Sequence, residues 1–297
     1  MFDRWKSHWP RTWPYAVFKR HHTQLNDLYW AGALAAHSSE RAVKISNQGG
    51  AQHITTALSI RPSVAQRMNF TIDGWKADFK EFGNWNRLAA LMSLSSYFET
   101  YLSAVCQLAL LSDPGLLLHS SKAVDGISLL KSFSAADELA HVKILRDEVK
   151  SITQGDWNSR LTSYERFFGA APTILQAAIP SFESIRHIRN GVGHTFGRLI
   201  PEYEDPLVFL PKPFQRLSEE RLLKLLGEVE KAALAIDNQL QPHIGAFEAL
   251  LTYHRLEKKV VAGKTEAQVL RGMFPFAQGA PPGKAYFEEL IKFYKKI

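Results

Sequence analysis

Residues 181–194 read Ser-Phe-Glu-Ser-Ile-Arg-His-Ile-Arg-Asn-Gly-Val-Gly-His, a stretch dense in groups that move protons or hold phosphate. At about 100° per residue, a helix here sets Glu183, His187, Asn190 and His194 within about 60° of one another, opposite Ile185, Ile188 and Val192. Imidazole is the side chain best matched to proton transfer near neutral pH, and guanidinium supplies a fixed charge with a fork that fits phosphate. Arg189 lies about 140° from His194 on an ideal helix. Two routes would bring cation and imidazole together. Gly191 and Gly193 loosen or end the helix, at a cost of roughly 1 kcal/mol each relative to alanine, or the second cation arrives from a partner protomer across a two-fold axis.

Other chemistries leave weaker traces. Gly-x-Gly-His at a helix end also fits ordinary C-capping, with His194 at the negative end of the dipole. Glu183, His187 and His194 have spacing suited to zinc, but the chain has no His-Glu-x-x-His and no cysteine cluster, so no metal and no cofactor is expected. Gly263-Lys264-Thr265 lacks the earlier glycine and the strand of a phosphate loop. Cys106 sits mid-helix among apolar residues and reads as a small core residue.

The elements that must position these groups are helical. Leu88, Leu91, Ser95, Phe98, Leu102, Val105 and Ala109 repeat at three-and-four spacing, which predicts one long helix from Asn84, as N-cap, to Ser112, with Asp113-Pro114-Gly115 as its stop. One acid, Glu99, sits beside that stripe, suited to pairing with a neighbouring arginine as a buried or interfacial acid. Further helices are predicted over roughly 121–132, 136–153 and 156–168, and another after Pro180 with Ser181 as cap. Residues 198–217 carry the pattern of a short β-hairpin or ordered loop. Helix returns from Ser218 to about Leu240, then from about His243 to Lys259 with Pro242 at the joint, and finally over Lys284–Lys296. In residues 1–80, Asn47-Gln48-Gly49-Gly50 either turns a hairpin or ends a helix. The expected fold class is mainly α, organised as a Trp-rich segment 1–80, a helical domain 81–260 with an insertion at 198–217, and an extension 261–297.

The net charge of +7 is unevenly placed: residues 1–70 carry +6, residues 250–297 carry +5, and the middle is net negative. Basic ends invite a polyanion, since clustered cations gain affinity by releasing phosphate counterions. Trp5, Trp9, Trp13 and Trp30 mix with Arg4, Lys6, Arg11, Lys19 and Arg20, which fits a membrane-surface anchor, a nucleic-acid surface or an arm packed on the body. A single cysteine suits a reducing compartment, and neither a secretory leader nor a membrane span is read, so the expected location is the cytoplasm.

Arg189-Asn190-Gly191-Val192-Gly193-His194 resembles the Arg-Asn-x-x-x-His form of the signature of HEPN domains, helical modules of many RNA-cutting toxins and antiviral effectors. Phe98-Glu99-Thr100-Tyr101-Leu102 is similar to the Phe-Glu-x-Tyr-Leu helix of the RiboL-PSP type of HEPN protein. The likeness covers about 84–197, roughly a third of the chain. It implies a HEPN-like helical bundle and a metal-independent endoribonuclease acting as a face-to-face homodimer. The implied roles are proton transfer by His194, charge stabilisation by Arg189, orientation by Asn190 and positioning by Glu99, with Arg186, His187 and Arg198 against the RNA. It further implies a toxin or phage-defence effector with a neutralising or regulatory protein partner. The competing expectation is a non-catalytic helical module that binds nucleotide or RNA, or scaffolds a partner.

Overall fold

The computed structural model describes residues 2–61, 67–68, 70–195, 215–256, 263–274 and 282–297, without the side chains of 194 and 195. The predicted hairpin or loop and Arg198 lie outside the described residues, apart from an irregular stretch at 215–218. The chain is mainly helical: α1 Trp13–Ile45, α2 Ile54–Ala57, α3 Ile72–Ser112, a 3₁₀ turn Pro114–Leu118, α4 Gly126–Ser132, α5 Ala135–Thr153, α6 Trp157–Phe168, α7 Thr173–Thr195, α8 Glu219–Ile244, α9 Phe247–Leu256, α10 Glu266–Gly272 and α11 Lys284–Lys296. Among the described residues the only β feature is an isolated antiparallel bridge, His53 to Thr71. No helix among them is long and apolar enough to cross a membrane.

Two compact units emerge, neither contiguous: one comprises residues 1–20, 97–183 and 228–297, the other 21–96 and 184–227. In the first, Phe98, Trp157 and Phe182 stack in series, Phe98 on Phe182 at 4.9 Å and Trp157 on Phe182 at 4.5 Å, tying α3, α6 and α7 together. Cys106 is fully buried within α3, and burial drives its thiol pKa upward, as suits an inert core residue.

Several helix ends obey local chemistry. Ser218 accepts from the Arg221 amide at 3.2 Å, the expected cap, and Asp113 holds the turn after α3 through Lys122 N at 2.7 Å and Ser121 Oγ at 2.9 Å. Elsewhere packing overrides punctuation. The long helix begins at Ile72 rather than Asn84, with Thr71 Oγ1 accepting from Gly74 N at 3.1 Å. Asn84 lies inside it, buried, where its side chain donates to Gln215 O at 2.9 Å and accepts from Leu217 N at 3.0 Å. Likewise Ser181 is not a cap. α7 runs through Pro180, which faces out, because Leu175, Ala178, Phe182, Ile185 and Ile188 keep one buried stripe on both sides of it. An interior proline costs about 3 kcal/mol, which burial of that stripe offsets. Pro242 sits inside α8 in the same way, between buried Leu240 and Ile244.

The N-terminal arm packs on the first unit. Trp9 stacks on Phe274 at 4.8 Å, and Phe2 meets Phe293 at 5.4 Å. Arg4 is buried, donating to Ser112 Oγ at 2.9 Å, Ile244 O at 3.3 Å, Asp125 Oδ1 at 3.1 Å and Ser112 O. Its own carbonyl accepts from Ala246 N at 2.8 Å, which requires Gly245: φ there is +56°, and a Cβ would stand 2.4 Å from that carbonyl. Arg4→Ala removes the guanidinium and strands several acceptors, so urea unfolding is expected to show a loss of about 3 kcal/mol. Arg4→Lys, lacking the planar fork, should recover only part of it.

Candidate active site

The motif residues belong to the last turns of α7, in the second unit. Ile185 and Ile188 are buried, so the opposite side of the helix is free to be polar: His187 is exposed, and Arg186, Arg189 and Asn190 are half-buried. From α8, Arg221 donates to Ser184 Oγ at 2.5 Å and steadies the start of this stretch. Gly191 faces the segment before α8, where a Cβ built on it would lie 3.4 Å from Gln215 Oε1. Since Gln215 O accepts from Asn84, residues of α3, α7 and the 215–217 segment meet around one turn of the motif. The backbone stays helical through Gly191 and Gly193 to Thr195, so positions 189 and 194 keep their separation of about 140°.

Glu99 and Glu183 belong to the first unit, and each follows an aromatic of the Phe98–Phe182 stack. Glu183 accepts from Trp157 N at 3.2 Å, the first residue of α6, where a carboxylate meets the positive end of the helix dipole. Glu99 accepts from Arg160 Nη1 at 3.1 Å; Arg160 is buried, donates through Nε to Gly155 O at 3.0 Å, and lies 4.8 Å over the Trp157 ring. Both acids thus hold the start of α6.

Sequence reasoning could give Glu99 an arginine partner but not name Arg160, 61 residues away, because an ion pair at that separation leaves no local pattern. It also missed Gln215, for the same reason. Among the described residues no group of three or more His, Cys, Asp or Glu side chains is placed to hold a metal ion. No family model matches the chain, nor does any curated protein or solved structure.

Proposed function

We propose that the chain is a metal-independent endoribonuclease that works as a homodimer, with the two copies of the Arg189–His194 turn sharing one cleft. The supporting observation is the unbroken helix. Because α7 does not unwind at Gly191 or Gly193, positions 189 and 194 point to different sectors of one protomer, and a two-fold partner is the simpler route to a paired imidazole and guanidinium.

The chemistry is intramolecular transesterification. The RNA 2′-OH loses its proton to a base and attacks the adjacent phosphorus, and the 5′-oxygen leaves as it gains a proton. The products are a 2′,3′-cyclic phosphate and a 5′-OH end. His194 serves the proton transfers, Arg189 offsets charge on the phosphorane, and Asn190 orients the phosphate. Arg186, His187 and Arg198 contact the RNA backbone, and Glu99 has a positioning role, its carboxylate accepting from Arg160 at the start of α6. A nuclease of this kind in a cell calls for restraint, so a neutralising protein partner or an infection-triggered release fits the reading.

The test is the chemistry of the ends. RNA incubated with protein in excess chelator should yield fragments that accept a 5′-phosphate from a kinase without prior dephosphorylation. Fragments bearing 5′-phosphate, or cutting that stops in chelator, would overturn the proposal.

A further inference from the structure

Near the start of α3, Trp75, Phe79 and Phe82 recur at i, i+4 and i+7, and Trp85 follows, so four rings run along one side of the helix. Their planes are nearly parallel from ring to ring: 4.5 Å and 21° for Trp75 and Phe79, 6.1 Å and 29° for Phe79 and Phe82, 6.5 Å and 15° for Phe82 and Trp85. Trp75 has a share in a small core of Val43, Ile54 and Ile72, whereas Phe82 and Trp85 stand 51% and 49% exposed. Lys76 and Lys80, both exposed, each come one residue after an aromatic, and with Arg87 they make a second stripe about 100° round the helix. That stripe borders a groove of about 720 Å³ between α1 and α3, where Phe79, Phe82, Lys76, Lys80 and Arg87 face His37. The unit as a whole carries 14 Lys and Arg against 10 Asp and Glu.

The cationic side of this surface adjoins the candidate active site: Arg87 Nε donates to Leu217 O at 2.6 Å, in the same 215–217 segment whose Gln215 faces Gly191 of α7. We infer that this aromatic-and-lysine surface is a platform for single-stranded RNA that delivers the strand to the Arg189–His194 turn, an inference that rests on the ribonuclease reading. An unpaired strand shows base faces and phosphates side by side. Exposed rings take the bases by stacking, and the neighbouring cations take the phosphates by releasing counterions. A duplex keeps its bases inside the stack and offers Phe82 and Trp85 nothing to cover, so the platform selects unpaired RNA.

Binding is measured by fluorescence anisotropy in the His194→Ala background, which prevents cutting, with a labelled unstructured RNA and a hairpin of the same composition. Phe82→Ala with Trp85→Ala should weaken the unstructured RNA by at least about tenfold and the hairpin far less. Lys76→Gln with Lys80→Gln should also flatten the salt dependence, by about 1.4 in log–log slope. All four side chains face solvent at least in part, so an unchanged melting temperature is the check on folding. Equal affinity in parent and variants overturns the platform, as does a change confined to sedimentation mass, which would mark a protein-docking face. Cutting assays separate this inference from the activity. Stripe-dependent binding without cutting sinks the ribonuclease and keeps the platform. Full cutting with unchanged affinity after the stripe is removed does the reverse.

Discussion

His194→Ala is expected to lower RNA cutting at least a hundredfold, and Arg189→Ala by a similar factor, while both proteins keep the helical fold. The magnitude follows from what each group does: positioned proton transfer contributes about 10²–10⁴ in rate, and one preorganised charge on a developing oxyanion contributes about 10²–10³. Arg189 is half-buried and lies outside the buried stripe of α7, which is Leu175 to Ile188, so its loss should be in turnover rather than stability. The sharper experiment mixes the two inactive variants. If imidazole and guanidinium meet across a two-fold interface, the shared cleft of a mixed dimer keeps one complete imidazole–guanidinium pair and loses the other. Random exchange makes half the dimers mixed, so activity should return to about a quarter of wild type. Mixtures that stay inactive after demonstrated subunit exchange would show that both groups act within one protomer, and the cross-protomer geometry would be wrong.

Stability should fall as pH rises from about 5 to 8.5, and Glu248→Gln should remove most of that fall. Glu248, in the first turn of α9, is buried beside Asp237, and burial lifts its pKa to about 8 although Trp13 N donates to it at 2.7 Å. Burial also lifts Asp237 to about 6, against hydrogen bonds from Thr12 N at 3.3 Å and Thr12 Oγ1 at 2.5 Å. The sign follows from linkage. A carboxyl with a raised folded pKa keeps its full contribution below its unfolded value, here the ordinary 4.5, and loses it as pH climbs through the folded value. One proton gives a slope of up to about 1.4 kcal/mol per pH unit across that window. Glutamine keeps an oxygen to accept from Trp13 N and carries no charge. The measurement is the difference between wild-type and Glu248→Gln unfolding free energies in urea at several pH values. A difference that does not change with pH refutes the prediction.

Some helix positions were legible in the spacing of the sequence. The last helix, Lys284–Lys296, and the cap at Ser218 fall where spacing puts them. Pro180, Ser181 and Asn84 misled because each carries a local meaning that long-range packing cancels: a proline between two parts of one buried stripe, and an asparagine spent on the backbone of residues 215 and 217. The same misplaced cap hid the Trp75–Trp85 stripe, since Asn84 read as the start of a helix that begins at Ile72. In the candidate site, Arg189, Asn190 and His194 were visible because they lie within one turn and a half. Arg160 and Gln215 were invisible because their partners come from distant parts of the chain.

The anchored N-terminal arm has a consequence for synthesis. Arg4, Trp9 and Phe2 leave the ribosome long before Ile244, Phe274 and Phe293, the residues they pack against. At about 5–20 residues per second, the arm waits roughly 12–60 s with its aromatics uncovered. Half-made chains therefore lack a finished first unit, and an arm held by a fused N-terminal partner or an early-binding chaperone would delay maturation until release.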